Sequence, residues 1–284
     1  MDLLSILFVN PFVEMADSPV FLMEVIVSGL LTGVLYSFVA LGFVLIFKAS
    51  GVFNFAQGAM VLFAALTLVG LIEHGVPVII AFVLTAAAMV VLAALIEGLM
   101  LRHLVNQEGI ILFMATIGLN FILEGAGQIA WGSDVKKLSV GIPDTSIEWA
   151  GMLLNSLDLT GAAIAAVLVT FLAFFFHYTT IGRALRAVAD DHQAALSVGI
   201  PLKTIWIIVW SVAGCVALVA GIMWGAKSGV QFSLALIALK ALPVLILGGF
   251  TSVTGAIIGG LIIGVGEKLA EILSLIHISE PTRR

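Results

Sequence analysis

Charge is what this chain has least of. Lysine, arginine, aspartate and glutamate make up 10% of its 284 residues, against about 25% in an ordinary soluble domain. With 62% hydrophobic residues and a mean hydropathy of +1.24, it reads as an integral membrane protein whose first partner is the lipid bilayer. The net charge is −5 and no basic cluster stands out, which excludes nucleic acid as a partner. A single cysteine, Cys215, excludes an intrachain disulfide and a cysteine metal site; inside an apolar run it reads as a small buried hydrophobe. The histidines never fall at metal-ligand spacing, and neither H-E-x-x-H nor G-x-S-x-G occurs, so neither a metal nor a catalytic residue is expected. The stretch "GIMWGAKS", residues 221–228, has nearly the spacing of a phosphate loop but closes a membrane helix, where its amides are already committed. The chain is expected to bind no cofactor, ATP included, and to be no enzyme.

What the chain has in abundance is long apolar runs. A spanning helix needs about 20 mostly apolar residues. Residues 25–47, 52–72, 75–96, 109–131, 159–176 and 204–226 each qualify or nearly so. The stretch 228–266 is broken by Lys240, Pro243, Gly248 and Gly249 and holds two segments, one of them short or re-entrant. The expected fold is all-α, a polytopic transmembrane helical bundle of about seven or eight segments with one or two short or re-entrant pieces. Residues 1–19 read as a leader, lacking the basic start of a cleavable signal; 20–273 form the transmembrane domain. Polar loops are expected at 132–158 and 179–203. Alternating sides, one set of loops holds Lys48, Arg102, Arg183, Arg186 and Lys203, the other Lys136, Lys137, Lys227 and most of the acids. The excess of base places the first set, and with it residues 183–201, in the cytoplasm.

Polar residues inside apolar segments mark where lipid is not the neighbour. A charge at mid-bilayer costs about 2.5–3.5 kcal/mol on insertion scales. Glu24 and Glu97 lie near helix ends and can reach the interface, whereas Glu124 and Lys240 lie deeper. Those two either pair, line a path, or mark a helix break. In "SGVFNFAQGAM", residues 50–60, Asn54 and Gln57 are amides one turn apart. Amides in hydrocarbon need hydrogen bonds, so they face protein or a water-filled path. Thr116 and Asn120, at i,i+4, supply a second candidate lining. Small residues recur every four positions at Gly29/Gly33, Ala217/Gly221/Gly225, Gly255/Gly259 and Gly260/Gly264, a spacing that lets helices approach closely. Around the hairpin at 248–260, Gly248, Gly249, Gly255 and Gly259 serve either packing or a moving gate.

One stretch fits neither lipid nor a short turn: "RALRAVADDHQAALSVGIP", residues 183–201. Leu185, Val188, His192 and Leu196 form one mildly apolar stripe, and Arg183, Arg186, Asp190, Gln193 and Ser197 occupy the remainder. Gly199 and Pro201 stop the helix, the glycine by a left-handed cap and the proline by forbidding continuation. The expectation is a surface helix of about four turns, rich in alanine and too weakly basic to lie on lipid. Such a helix suits docking against protein.

Here the sequence resembles a family. "QAALSVG" is similar to the E-A-A-x-x-x-G coupling loop of ATP-driven importers, with Gln193 in place of the acid. "GLLTGVLYSFVALGFVLIFKASGVFNFAQGAM", "GRALRAVADDHQAALSVGI" and "LPVLILGGFTSVTGAIIGGLIIGVGE" resemble segments of branched-chain amino acid importer permeases, over residues 20–272. The resemblance implies an inner-membrane subunit working with a second permease, two cytosolic ATP-binding subunits and a periplasmic substrate-binding protein. ATP is then bound by those partners, and Arg183, Arg186, Asp190, Asp191, Gln193, Ala194, Ala195 and Gly199 form the ATPase-coupling loop. Asp190 and Asp191 are the candidate replacements for the charge absent at Gln193. The segment 274–284 resembles translated adapter sequence, and a non-native tail after a truncated last span is expected there. Two other functions stay open: an importer of urea or short amides, and a stand-alone secondary transporter or channel using Glu124 or Lys240.

Overall fold

The computed structural model describes residues 18–279 apart from 105–106, 142–144, 150, 191–194, 196 and 198. Among the described residues, six helices are long and apolar enough to cross a membrane, and the shorter apolar stretches Gln57–Glu73 and Phe232–Gly248 bring the segments to eight. The helices are α1 (Pro19–Ser50), α2 (Gln57–Glu73), α3 (Val78–Leu99), α4 (Gly109–Trp131), α5 (Ser156–Tyr178), α6 (Thr180–Asp190), α7 (Leu202–Ser228), α8 (Ile237–Gly248) and α9 (Val253–Ser279). This is a multi-pass helical membrane protein, as composition demands. α9 runs through Ser279, past the boundary expected at residue 274.

α1 is the hub. Proline at its first position pre-sets the helical φ, and Gly51, at φ +68°, ends it in a left-handed cap whose N–H returns to Phe47 O. α9, α7, α8 and α5 all pack on it. The α1–α9 contact is built on the four-residue spacing seen in the sequence. Gly29 faces Gly264 and Val265, Gly33 faces Gly260, and Ser37 Oγ reaches Ala256 O at 3.3 Å, a register that makes the helices antiparallel. A Cβ added at Gly29 would lie 2.7 Å from Val265 Cα, a distance no side chain tolerates. On the same helix, Gly255 meets Gly248 and Gly259 meets Val244 O of α8. α9 therefore turns one strip of glycines to α1 and the adjacent strip to α8. Gly248, Gly255 and Gly259 are packing residues in this arrangement, and Gly249, at φ +88°, makes the turn between α8 and α9.

α2 is the second element of the core. It is enclosed by α3, α4, α7 and the 3-10 turn Phe232–Leu236, and most of its residues are buried. The expected span covers 52–72, but the helix starts only at Gln57. The Asn54 side chain explains the delay: its Oδ1 accepts from Ala56 N at 3.1 Å, a local turn that competes with helical bonding. Residues 52–54 have no regular secondary structure, and the remaining 17-residue helix is at the short limit for a span.

Directions follow from contacts at one end of the bundle. Lys136 pairs its backbone with Val230, just beyond α7, and its ammonium with Glu73 at the end of α2. The end of α7 thus lies level with the start of α3, so these two packed helices are antiparallel. The same end carries a feature absent from the expectation of a plain polar loop. Ser146–Trp149 and Met152–Asn155 pair as an antiparallel hairpin, β1–β2, turning at Gly151 (φ +81°). Glu24 at the start of α1 accepts from Leu153 N of that hairpin at 3.2 Å. Glu97, expected near the interface, is enclosed by protein. It is 2% exposed, because it lies on the stripe of α3 with Thr85, Met89 and Ala93 that is turned inward.

Candidate functional site: the translocation path and the surface helix

The polar residues foreseen in the sequence separate into three sets. Asn54, Gln57 and Thr116 are completely buried. Asn54 Nδ2 donates to Gln57 Oε1 at 3.3 Å, and the Gln57 side chain lies over Gly42 of α1, where a Cβ would collide with it. Thr116 Oγ1 accepts from Phe55 N at 3.0 Å and donates to Phe113 O at 2.8 Å. Thr116 Oγ1 and Asn54 Oδ1 hold backbone of this non-helical stretch that no helix or sheet satisfies, whereas Gln57 accepts from Asn54 and its Nε2 is buried with no hydrogen-bond partner among the described residues.

Asn120 and Glu124 form the second set. Asn120 Nδ2 donates to Glu124 Oε1 at 3.0 Å, and both line a cavity of about 80 Å³ with Phe43, Phe53, Phe55 and Leu239. The aromatic wall is continuous: Phe53 stacks on Phe43 at 4.9 Å and meets Phe113 and Phe250 at 6.0 and 6.1 Å. Lys240 belongs to a third set. It does not pair with Glu124; its Nζ bonds Glu267 Oε1 at 2.8 Å and Tyr36 OH at 3.3 Å. It lines a second cavity of about 200 Å³ with Ser228, Gln231, Ser233 and Leu236. Leu236 lines both cavities. Each is smaller than the roughly 300–1,000 Å³ of an ordinary ligand pocket. The result is a cavity holding Lys240 toward the hairpin end and an aromatic one deeper in, with Leu236 part of the lining of each.

Sequence reasoning missed the partners. Nothing in the sequence marks Glu267 or Tyr36 as a partner of Lys240. The amides could be placed by type, but a single chain carries no sign of which helix faces which. The Asp158–Lys227 bridge, at 2.7 and 2.9 Å, was hidden for the same reason. It joins the first turn of α5 to the last turn of α7, with Asp158 7% exposed.

The expected surface helix is described over Thr180–Asp190, and His192 and Leu196 of its apolar stripe lie outside the described residues. Thr179 caps α6, its Oγ1 accepting from Gly182 N at 2.9 Å. Leu185 and Val188 are buried and Arg183 is exposed. Arg186 donates to Phe176 O, one of the carbonyls left open at the end of α5. Asp191, Gln193 and Ala194 lie outside the described residues, and of Asp190 only the backbone is described. Ala195 is buried, and Gly199 has φ +83°. Ile200 N bonds Ala195 O at 3.0 Å, the six-to-one bond of a left-handed helix cap. The foreseen stop is in place before Pro201.

Comparison with known proteins comes to the same place. The sequence pattern of the family described as "Branched-chain amino acid transport system / permease component" matches residues 25–279. The chain is 28% identical over 278 residues to the high-affinity branched-chain amino acid transport system permease protein LivH of Escherichia coli (strain K12), covering 90% of this chain and 88% of that protein. It is 27% identical over 261 residues to the corresponding permease protein BraD of Pseudomonas aeruginosa, covering 86% and 85%. To the probable branched-chain amino acid transport permease protein LivH of Methanocaldococcus jannaschii it is 29% identical over 245 residues, covering 81% and 75%. No solved structure matches the chain.

Proposed function

The chain belongs to the family of permease components of branched-chain amino acid transport systems, and on that premise we propose that it carries branched-chain amino acids across the bacterial inner membrane in an ATP-driven importer. In this reading it works with a second permease subunit, two cytosolic ATP-binding subunits that alone hold the nucleotide, and a periplasmic binding protein that delivers the substrate. The chain itself contributes no cofactor and no catalytic residue.

The observation that carries the mechanism is the attachment of α6 to two membrane helices. At its start, Thr179 and Arg186 tie it to the end of α5. It also packs on α7, which begins just after the Gly199 cap. A load applied to the exposed face around Arg183 therefore passes to two membrane helices at once. α7 packs against α1, α2 and α3, so its tilt is felt at Phe43 and at the stretch before α2. Those elements wall the aromatic cavity. ATPase closure acting on α6 would in this way change the opening on either side of Leu236.

A zwitterion with a branched apolar side chain suits this lining. Asn120 and Glu124 offer polar groups at one wall, and Phe43, Phe53 and Leu239 the apolar remainder. Gly199→Glu tests the coupling in the assembled transporter. Membrane insertion should be preserved and leucine uptake lost while ATP hydrolysis continues; undiminished uptake in this variant would refute the scheme. Competition by isoleucine but not by urea should identify the substrate class.

A further inference from the structure

At the end of the bundle that carries Lys48 and Arg186, α1, α5, α6 and α9 surround a cavity of about 520 Å³. Its walls are apolar, with Leu45, Phe174 and Leu185 among them, and two cations, Lys48 and Arg186, line it without any acid among the described residues. Arg186 spends one donor on Phe176 O, leaving the rest of a five-donor guanidinium available. Lys136, Lys227, Lys240 and Lys268 each pair with a carboxylate, whereas Lys48 makes no ion pair among the described residues.

The cavity does not stop at its basic mouth. It shares Thr170 and Phe174 with a shallow apolar channel, open along one face of α5 and lined by that helix alone, that extends over Phe171 and Val167 to Ala166. Val167, Phe171 and Phe174 are exposed on the outer face of that helix. From Tyr178 back to Ala166 the helix rises about 18 Å at 1.5 Å per residue. One leaflet of bilayer hydrocarbon is about 15 Å thick. A groove that is cationic at headgroup level and apolar for the depth of one leaflet has the dimensions and polarity of a single lipid.

We propose that this groove binds an anionic phospholipid, its phosphate between Lys48 and Arg186 and one acyl chain along the outer face of α5. Basic pockets between membrane helices at the cytoplasmic side recognise anionic headgroups by this chemistry. A free phosphate would use the mouth and leave the channel unexplained, and the channel opens where α5 faces lipid. The site does not depend on which solute the chain carries. Because Arg186 sits on α6, the bound lipid would brace the helix that receives the ATPase.

The test is native mass spectrometry of the full-length chain in detergent, titrated with phosphatidylglycerol or with phosphatidylcholine of identical acyl chains. Two cations, at about fivefold in affinity each, predict retention of phosphatidylglycerol about twenty-fivefold over phosphatidylcholine. Lys48→Gln should lower that retention about fivefold. Thr170→Trp, at an exposed position inside the channel, should lower it without touching a charge. Equal retention of the two lipids overturns the proposal, as does undiminished binding in Lys48→Gln. An effect of Lys48→Gln with none of Thr170→Trp also overturns it, because the ligand would then be a free anion.

Discussion

Two glycines two residues apart on α9 should respond oppositely to the same methyl group. At Gly264 an added Cβ runs into the backbone of Gly29 and Gly33 on α1; at Gly266 it meets open space. Helix propensity favours alanine over glycine by up to about 1 kcal/mol at either position. At Gly264 the clash is with backbone, which cannot rotate away, so α1 and α9 must separate. Overpacking of this kind costs about 1–3 kcal/mol, and separation also strains the Ser37 Oγ to Ala256 O bond. The net expectation for Gly264→Ala is a loss of about 1–2 kcal/mol, and for Gly266→Ala no loss or a small gain. At about 2–4 °C per kcal/mol for a protein of this size, the apparent Tm of the purified protein in detergent should fall by about 2–8 °C in the first variant only. If both variants melt alike, the glycine register between α1 and α9 is wrong.

Three other perturbations follow from the same geometry. The Lys240–Glu267 pair is partly exposed, at 57% and 38%; solvent screening limits a double-mutant cycle with Lys240→Met and Glu267→Gln to a coupling of about 0.2–1 kcal/mol in thermal unfolding. Asp158→Ala removes the acceptor that holds Lys227, and since Asp158 is 7% exposed the loss should reach about 1–3 kcal/mol, read as reduced Tm in detergent. Gly199→Ala forces a side chain to φ +83° in otherwise open space; it should cost about 1 kcal/mol, with faster amide exchange at Ile200 and a smaller penalty for Gly199→Asn.

The membrane segments were legible because a helix in lipid must be apolar over a set length, and 109–131 matches α4 residue for residue. The side of each helix that meets protein was less so. α1 and α5 are equally apolar, yet most of α1 is buried and most of α5 faces outward. Hydropathy records the cost of leaving water, and that cost is the same against lipid or against another helix. Glycine spacing was the exception, because close approach of backbones leaves a mark in residue size. Among the candidate path residues, type alone did not show that Asn120 and Glu124 line a cavity while Asn54 and Gln57 are fully enclosed. The cap at Gly199 was legible because left-handed backbone selects its residue locally. Tyr36 and Glu267 beside Lys240 were not, since their proximity depends on how α1, α8 and α9 pack together.

The enclosure of α2 bears on how the molecule is made. The ribosome delivers this helix second, but α7 and the 3-10 turn that cover it emerge only after α3 to α6 have been threaded. Through that interval Asn54 and Gln57 sit in a half-built assembly with part of their final housing still unsynthesised. Biogenesis must therefore shelter the nascent amino-terminal half, and damage to α7 should condemn α2 to degradation although its own residues are intact.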